Sequence, residues 1–173
     1  MKSGVILAGL LAASAWASEV IPFPNGSFDE GEARWFFSRE RGVQTRATAE
    51  FFRTAPGALR VYADADKKIM ARVDSPFVPV KGPGIVELRY AICGFAGRHL
   101  NLTVRQYDAQ KNFLPIENWG EDGDTGGKWV TGLREILLDE KTAYIQLRFL
   151  PLPAQGETID VFYDDFEIGR AHV

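Results

Sequence analysis

Apolar residues recur at every second position through most of this chain. In the segment LNLTVRQYD, Leu100, Leu102 and Val104 alternate with Asn101, Thr103 and Arg105, which gives an extended strand one apolar and one polar face. The segments WFFSRE, VQTRATAEFF, ALRVYAD, KIMARVDS, GIVELRYAIC, AYIQLRFLPL and TIDVFYDDFEIG carry β-branched and aromatic residues with a period near two. Such side chains suit a pleated, half-buried surface. Turn residues punctuate them at Pro56-Gly57, Lys81-Gly82-Pro83-Gly84, Asp108-Ala109-Gln110-Lys111 and Gln155-Gly156. Only REILLDEK also fits a turn of helix. Many short strands at a spacing of roughly ten residues, without intervening helices, predict an all-β chain folded as an antiparallel β-sandwich or barrel.

The pattern breaks at the N-terminus. A basic start at Met1-Lys2-Ser3, an apolar run from Gly4 to Ala13 and the small-x-small sequence Ala15-Trp16-Ala17 read as a secretory signal peptide over residues 1–17. The expected mature chain, residues 18–173, has the length of one domain, secreted or periplasmic. The apolar run is too short for a stable span and no second one follows, so no membrane insertion is expected. A hydrophobic content of 46% supplies a core of ordinary size. The net charge of −3, with no dense basic cluster, argues against a nucleic-acid partner. Cys93 is the one cysteine, so no disulfide forms within the chain, and it reads as a small buried hydrophobe. An exported protein without disulfides fits a bacterial source.

The adjacent acids Asp164 and Asp165, inside a strand containing Phe162, Tyr163, Phe166 and Ile168, pose the chemical question. A catalytic dyad, a metal site and a solvated edge compete. Consecutive strand residues point to opposite faces, so this pair cannot flank a substrate. Parity places Asp164 with Phe162, Phe166 and Ile168, toward the core unless a bulge intervenes, and turns Asp165 to solvent. A carboxylate on an apolar face needs a partner, either a cation or backbone N–H groups of the N-terminal loop. His99 and His172 are the only histidines, and no hydrolase or phosphate-loop motif occurs. GEDGDTGG, residues 120–127, lacks the terminal acid of a calcium loop and reads as an exposed acidic loop. No catalytic activity is expected.

Six motifs occur in a fixed order: NGSFDEGEARW (25–35), APGALRVY (55–62), DSPFVPVKGPGIVELRYAI (74–92), LTVRQYDAQKNFL (102–114), GGKWV (126–130) and YDDFEIG (163–169). The series resembles the galactose-binding-domain-like β-sandwich, and within it the carbohydrate-binding modules of the family 4, 9 and 22 group. The resemblance implies a jelly roll of two antiparallel sheets. It also implies a structural calcium, with Asp29 and Asp164 as ligands and carbonyls of Ser27 and the Pro56-Gly57 turn as further donors. The partner it implies is a polysaccharide or glycan. Aromatic faces stack on pyranose rings while polar groups bond their hydroxyls, and the candidates are Trp119, Tyr62, Arg105, Gln106 and Tyr107. Trp35, Trp129 and Tyr90 are expected in the core. The expected function is that of a secreted, non-catalytic glycan-binding domain. The alternative is an exported interaction domain that assembles with another exported protein.

Overall fold

The computed structural model describes residues 19–38, 46–54, 56–63, 72–96, 100–122, 124–151 and 158–170. The expected signal peptide, His99 and His172 lie outside them. The strands are β1 (Glu19–Ile21), β2 (Phe36–Phe37), β3 (Arg46–Thr48), β4 (Ala58–Ala63), β5 (Val73–Asp74), β6 (Val78–Pro79), β7 (Gly84–Ala96), β8 (Leu100–Tyr107), β9 (Phe113–Asp122), β10 (Val130–Leu138), β11 (Tyr144–Pro151) and β12 (Ile159–Arg170). They form two six-stranded antiparallel sheets. Sheet I runs β10-β7-β12-β4-β3, with β1 on β12; sheet II runs β2-β5-β11-β8-β9, with β6 on β11. Of the two all-β folds that the alternation left open, sandwich or barrel, the chain forms the sandwich, with the two antiparallel sheets that the resemblance implied.

Alternation decides what fills the sandwich. Sheet I turns inward Leu59 and Val61, Val86, Leu88, Tyr90 and Ile92, Ile136 and Leu138, and Ile159, Val161 and Tyr163. Sheet II meets them with Val73, Leu102, Val104, Ile145, Leu147 and Phe149. Fully burying one such aliphatic or aromatic side chain stabilises by about 1.5–3 kcal/mol, so this inner layer is the main source of stability. Phe166 is an aromatic hub: the rings of Phe23, Trp35, Tyr90, Phe149, Tyr163 and Phe28 have centroids 5.7, 5.8, 5.6, 5.8, 6.0 and 6.3 Å from its own. Trp35 and Tyr90 are therefore core residues, as expected.

Close backbone approaches fix two seams. Gly26 brings its carbonyl to the Phe166 N–H at 3.1 Å, and a Cβ at Gly26 would stand 2.5 Å from the Phe166 carbonyl oxygen. A Cβ at Gly132 would collide with the Tyr90 ring. REILLDEK contributes Arg134–Leu138 to β10 rather than a helical turn, because Ile136 and Leu138 are inward while Glu135 and Leu137 are exposed. The first residues of GEDGDTGG, Gly120 to Asp122, likewise continue β9, while Gly126 and Gly127 form a turn. No helix among the described residues is long and apolar enough to cross a membrane.

Candidate functional site

Each sheet has an outer face set by the complementary positions of its strands. On sheet II, register pairs Tyr107 with Tyr144, Arg105 with Gln146 and Thr103 with Arg148 on adjacent β8 and β11, while Asp74 of β5 pairs with Arg148. Directly opposed residues share a face, so these side chains form continuous rows. Asp74, almost fully buried, receives a two-pronged contact from Arg148 at 2.7 and 3.0 Å, and Arg72 reaches it at 3.0 Å. The Tyr107 hydroxyl donates to Gln146 Oε1 at 3.0 Å, and Gln146 Nε2 donates to the Ser75 carbonyl at 2.9 Å. Aromatic rings border this polar band. The Arg105 guanidinium lies 4.0 Å from the centroid of Phe113, Lys111 sits over Phe77 and Tyr144 at 5.0 and 5.4 Å, and Arg72 covers Phe36 at 5.2 Å. Phe36 and Phe113 remain 53% and 41% exposed, so apolar ring surface stays open beside donors and acceptors.

Arg105 and Tyr107 belong to this face, and the backbone of Trp119 occupies the β9 register position opposite Thr103. The Trp119 side chain lies outside the described residues. Tyr107 keeps 7% of its surface exposed. Tyr62 stands on the other sheet, where Arg60 covers its ring at 5.0 Å and clamps Asp160 at 2.8 and 2.9 Å. The hydrogen bonds that Arg60 donates to Asp160 lead the causes that hold its guanidinium above its ordinary range. Gln106 is corrected from rim to interior. It shares the inward parity of Leu102 and Val104 and is fully buried. Its amide donates to the Leu137 carbonyl at 2.9 Å, and its oxygen accepts from the Asp139 N–H at 3.0 Å and the Thr142 hydroxyl at 2.6 Å. Gln106 thus satisfies buried backbone and leaves no group for a ligand.

The outer face of sheet I is built differently, because β12 is bulged. Asp164 pairs with Ala91 and Glu167 with Arg89, leaving Asp165 and Phe166 opposite the single residue Tyr90. Asp165 takes φ 52°, a left-handed conformation that aspartate tolerates better than most residues. The extra residue reverses parity: Tyr163 and Phe166 face inward, whereas Phe162, Asp164 and Glu167 face outward. Asp164 is therefore not on the core face with Phe166 and Ile168, yet it is fully buried. It lies beneath residues 49–54, accepting N–H bonds from Arg53 at 3.0 Å and Thr54 at 2.8 Å through Oδ2 and from Asp165 at 2.8 Å through Oδ1. Burial outweighs these donors and pushes its carboxyl above the usual range. Beside it Phe51 stacks on Trp129 at 5.5 Å and meets Phe162 at 4.9 Å and Phe95 at 5.3 Å. Trp129, expected in the core, instead sits half-buried in this second aromatic cluster. Cys93 is buried, and its burial pushes the thiol up, as expected of a packing residue.

Asp29 is exposed and Ser27 half-buried in the N-terminal loop. Among the described residues no group of three or more Asp, Glu, His or Cys side chains converges. A calcium held by Asp29, Asp164 and Ser27 would draw much of its oxygen shell from backbone carbonyls.

The sequence matches no family model and no curated protein. The fold, by contrast, matches solved structures. The chain superposes on the CBM22-1 xylan-binding domain of Xyn10C from Paenibacillus barcinonensis with a TM-score of 0.60 and 19% identity, covering 92% of this chain and 99% of that domain. In fold, the chain is similar to carbohydrate-binding modules. TmCBM61, solved in complex with β-1,4-galactotriose, gives a TM-score of 0.56 at 15% identity over 87% of this chain and 98% of the module. The enzymatically active domain of tailspike protein 4 of bacteriophage CBA120 gives 0.68 at 12% identity over 84% of this chain, which spans only 21% of that larger structure.

Proposed function

We propose that this chain is an exported, non-catalytic glycan-binding domain that holds polysaccharide on the outer face of sheet II. The observation that carries this reading is the band of Arg148, Gln146, Tyr107 and Arg105 bordered by Phe36, Phe77, Phe113 and Tyr144. Its chemistry suits a sugar chain, with ring faces for C–H surfaces and planar polar groups for hydroxyls. Asp74, the carboxylate beside Arg148 and Arg72 in this band, is occupied by those two guanidinium groups rather than free to move a proton. Structural neighbours that bind xylan or β-1,4-galactotriose support a glycan as the partner. The leader-like residues 1–17 support export.

Affinity electrophoresis through gels containing xylan, galactan or mixed-linkage glucan tests this reading. Retardation by at least one polymer is expected, with about a tenfold loss of affinity in Tyr144→Ala and Arg105→Ala, since one lost stacking or charged contact is worth 1–2 kcal/mol. Trp119→Ala tests the remaining aromatic. No retardation in any polymer would remove the reading. Structural calcium is part of the same proposal, with Asp29, Asp164 and Ser27 as its candidate donors. A melting temperature that falls on adding chelator supports it, and an unchanged one rejects it. The interaction-domain alternative is favoured by Leu133 and Leu137, which are 57% and 69% exposed on the edge strand β10.

A further inference from the structure

The β12 bulge opens a hollow of about 440 Å³ on the outer face of sheet I, walled by Arg53, Thr54, Arg89, Thr131, Asp165 and Glu167. Its position follows from the local backbone. Ala91 and Thr131 are register partners on β7 and β10, and both are small. The neighbouring β12 position, Asp164, is turned under the 49–54 loop. Tyr90 of β7, the residue opposite the bulge, also lines the hollow. The extra residue re-aims Asp165 to the rim, where its Oδ2 accepts from the Thr54 hydroxyl at 2.8 Å and Arg53 approaches at 4.0 Å. Arg89 and Glu167 are cross-strand partners at the far side, and Arg89 also reaches Glu87 at 2.7 Å.

The geometry points to this hollow as a second ligand site, for a neutral polyhydroxylated ring such as the end of a sugar chain. Its volume falls within the usual span of small-molecule sites, about 300–1,000 Å³. The balance of charge selects the ligand. Arg53 and Arg89 supply only donors, Asp165 and Glu167 only acceptors, and Thr54 and Thr131 can do both. An anion entering here meets two carboxylates and a cation meets two guanidinium groups. A hydroxyl accepts from an arginine while donating to the adjacent carboxylate, so neighbouring hydroxyls on one ring match the alternation. The site does not depend on sheet II. If the sheet II reading also holds, ligands on opposite faces make one chain divalent, able to bridge two glycan strands.

Amide NMR titration of the folded domain with galactose, xylose, glucose or arabinose tests the proposal, with phosphate and tetramethylammonium as charged probes. At least one sugar should give saturable shifts at Thr54, Thr131 and Glu167. Arg89→Ala and Glu167→Ala, both at exposed positions, should each weaken binding about tenfold, the loss expected for one charged hydrogen bond. Arg105→Ala on sheet II should leave these shifts unchanged, which separates this site from the other. Saturation by phosphate or tetramethylammonium in place of sugars would overturn the ligand class. Shifts confined to sheet II amides, no saturable shift with any sugar, or wild-type binding by Arg89→Ala would overturn the site.

Discussion

On sheet II, Arg105 lies beside Gln146 and Thr103 beside Arg148, in a row bordered by aromatic rings of which Phe36 and Phe113 stay exposed. On sheet I, the corresponding outward positions of β12, Phe162 and Asp164, disappear beneath residues 49–54. The same alternation produced both faces, so alternation alone does not decide which outer face stays open. What decides it is an anchor. Sheet I supplies one because its bulged strand presents a carboxylate to two backbone N–H groups of a passing loop. Sheet II engages its buried carboxylate, Asp74, with two arginines, Arg148 and Arg72, rather than with the backbone of a passing loop.

The largest expected effect breaks the open face. Asp74→Ala leaves Arg148, itself mostly buried, without its carboxylate and should destabilise the domain by about 3 kcal/mol, the low end for breaking a buried ion pair. Urea unfolding measures this, and a loss under about 1 kcal/mol would show that the pair is effectively solvated. Next comes the roof of sheet I. Asp164→Ala strands the Arg53 and Thr54 N–H groups and should cost about 1–3 kcal/mol. Hydrogen exchange should quicken at those two amides while β8 and β11 stay protected; uniform quickening would mean that the loop and the sandwich open as one unit.

The smallest effect concerns pH, and its sign differs between the sheets. The Asp164 carboxyl is raised by burial, so its contribution to stability is greatest below the unfolded carboxylate value of about 4 and is lost as pH rises through the folded value. Asp108, in the β8–β9 turn, is lowered by hydrogen bonds from the side chain and backbone of Asn112 and the backbone of Gln110. Its contribution is present above the unfolded value and is lost as pH falls through the folded one. Unfolding wild type, Asp164→Asn and Asp108→Asn across the acid range should show differences from wild type that change with pH in opposite directions. Parallel curves would refute the contrast.

Much of this was readable from residue order because alternation is burial written along the chain. Leu102 and Val104 announced an inward face, and the same count carries to Gln106, so its interior place had a signal that its polar amide obscured. Arg105 and Tyr107 fell on one face for the same reason. That Tyr62 belongs to the other sheet was not legible, since strand pairing is a long-range property. The bulge was not legible either: one aspartate in a left-handed conformation reverses the parity of everything after it, and the count from Phe162 to Phe166 fails at that residue. Trp129 was misplaced because a loop brings Phe51 to it across a long stretch of chain.

The place of β12 also bears on how the protein is made. Residues 159–170 are synthesised after every strand they pair with, yet they form the middle of sheet I, with β7 on one side and β4 and β1 on the other. Until they arrive, β1 has no partner, β4 lacks its inner neighbour and the aromatic hub at Phe166 is missing. Completing sheet I therefore requires contacts between residues more than one hundred positions apart, such as Ile21 with Ile168. A topology of this kind is dominated by non-local pairing, which slows folding relative to a chain of local contacts.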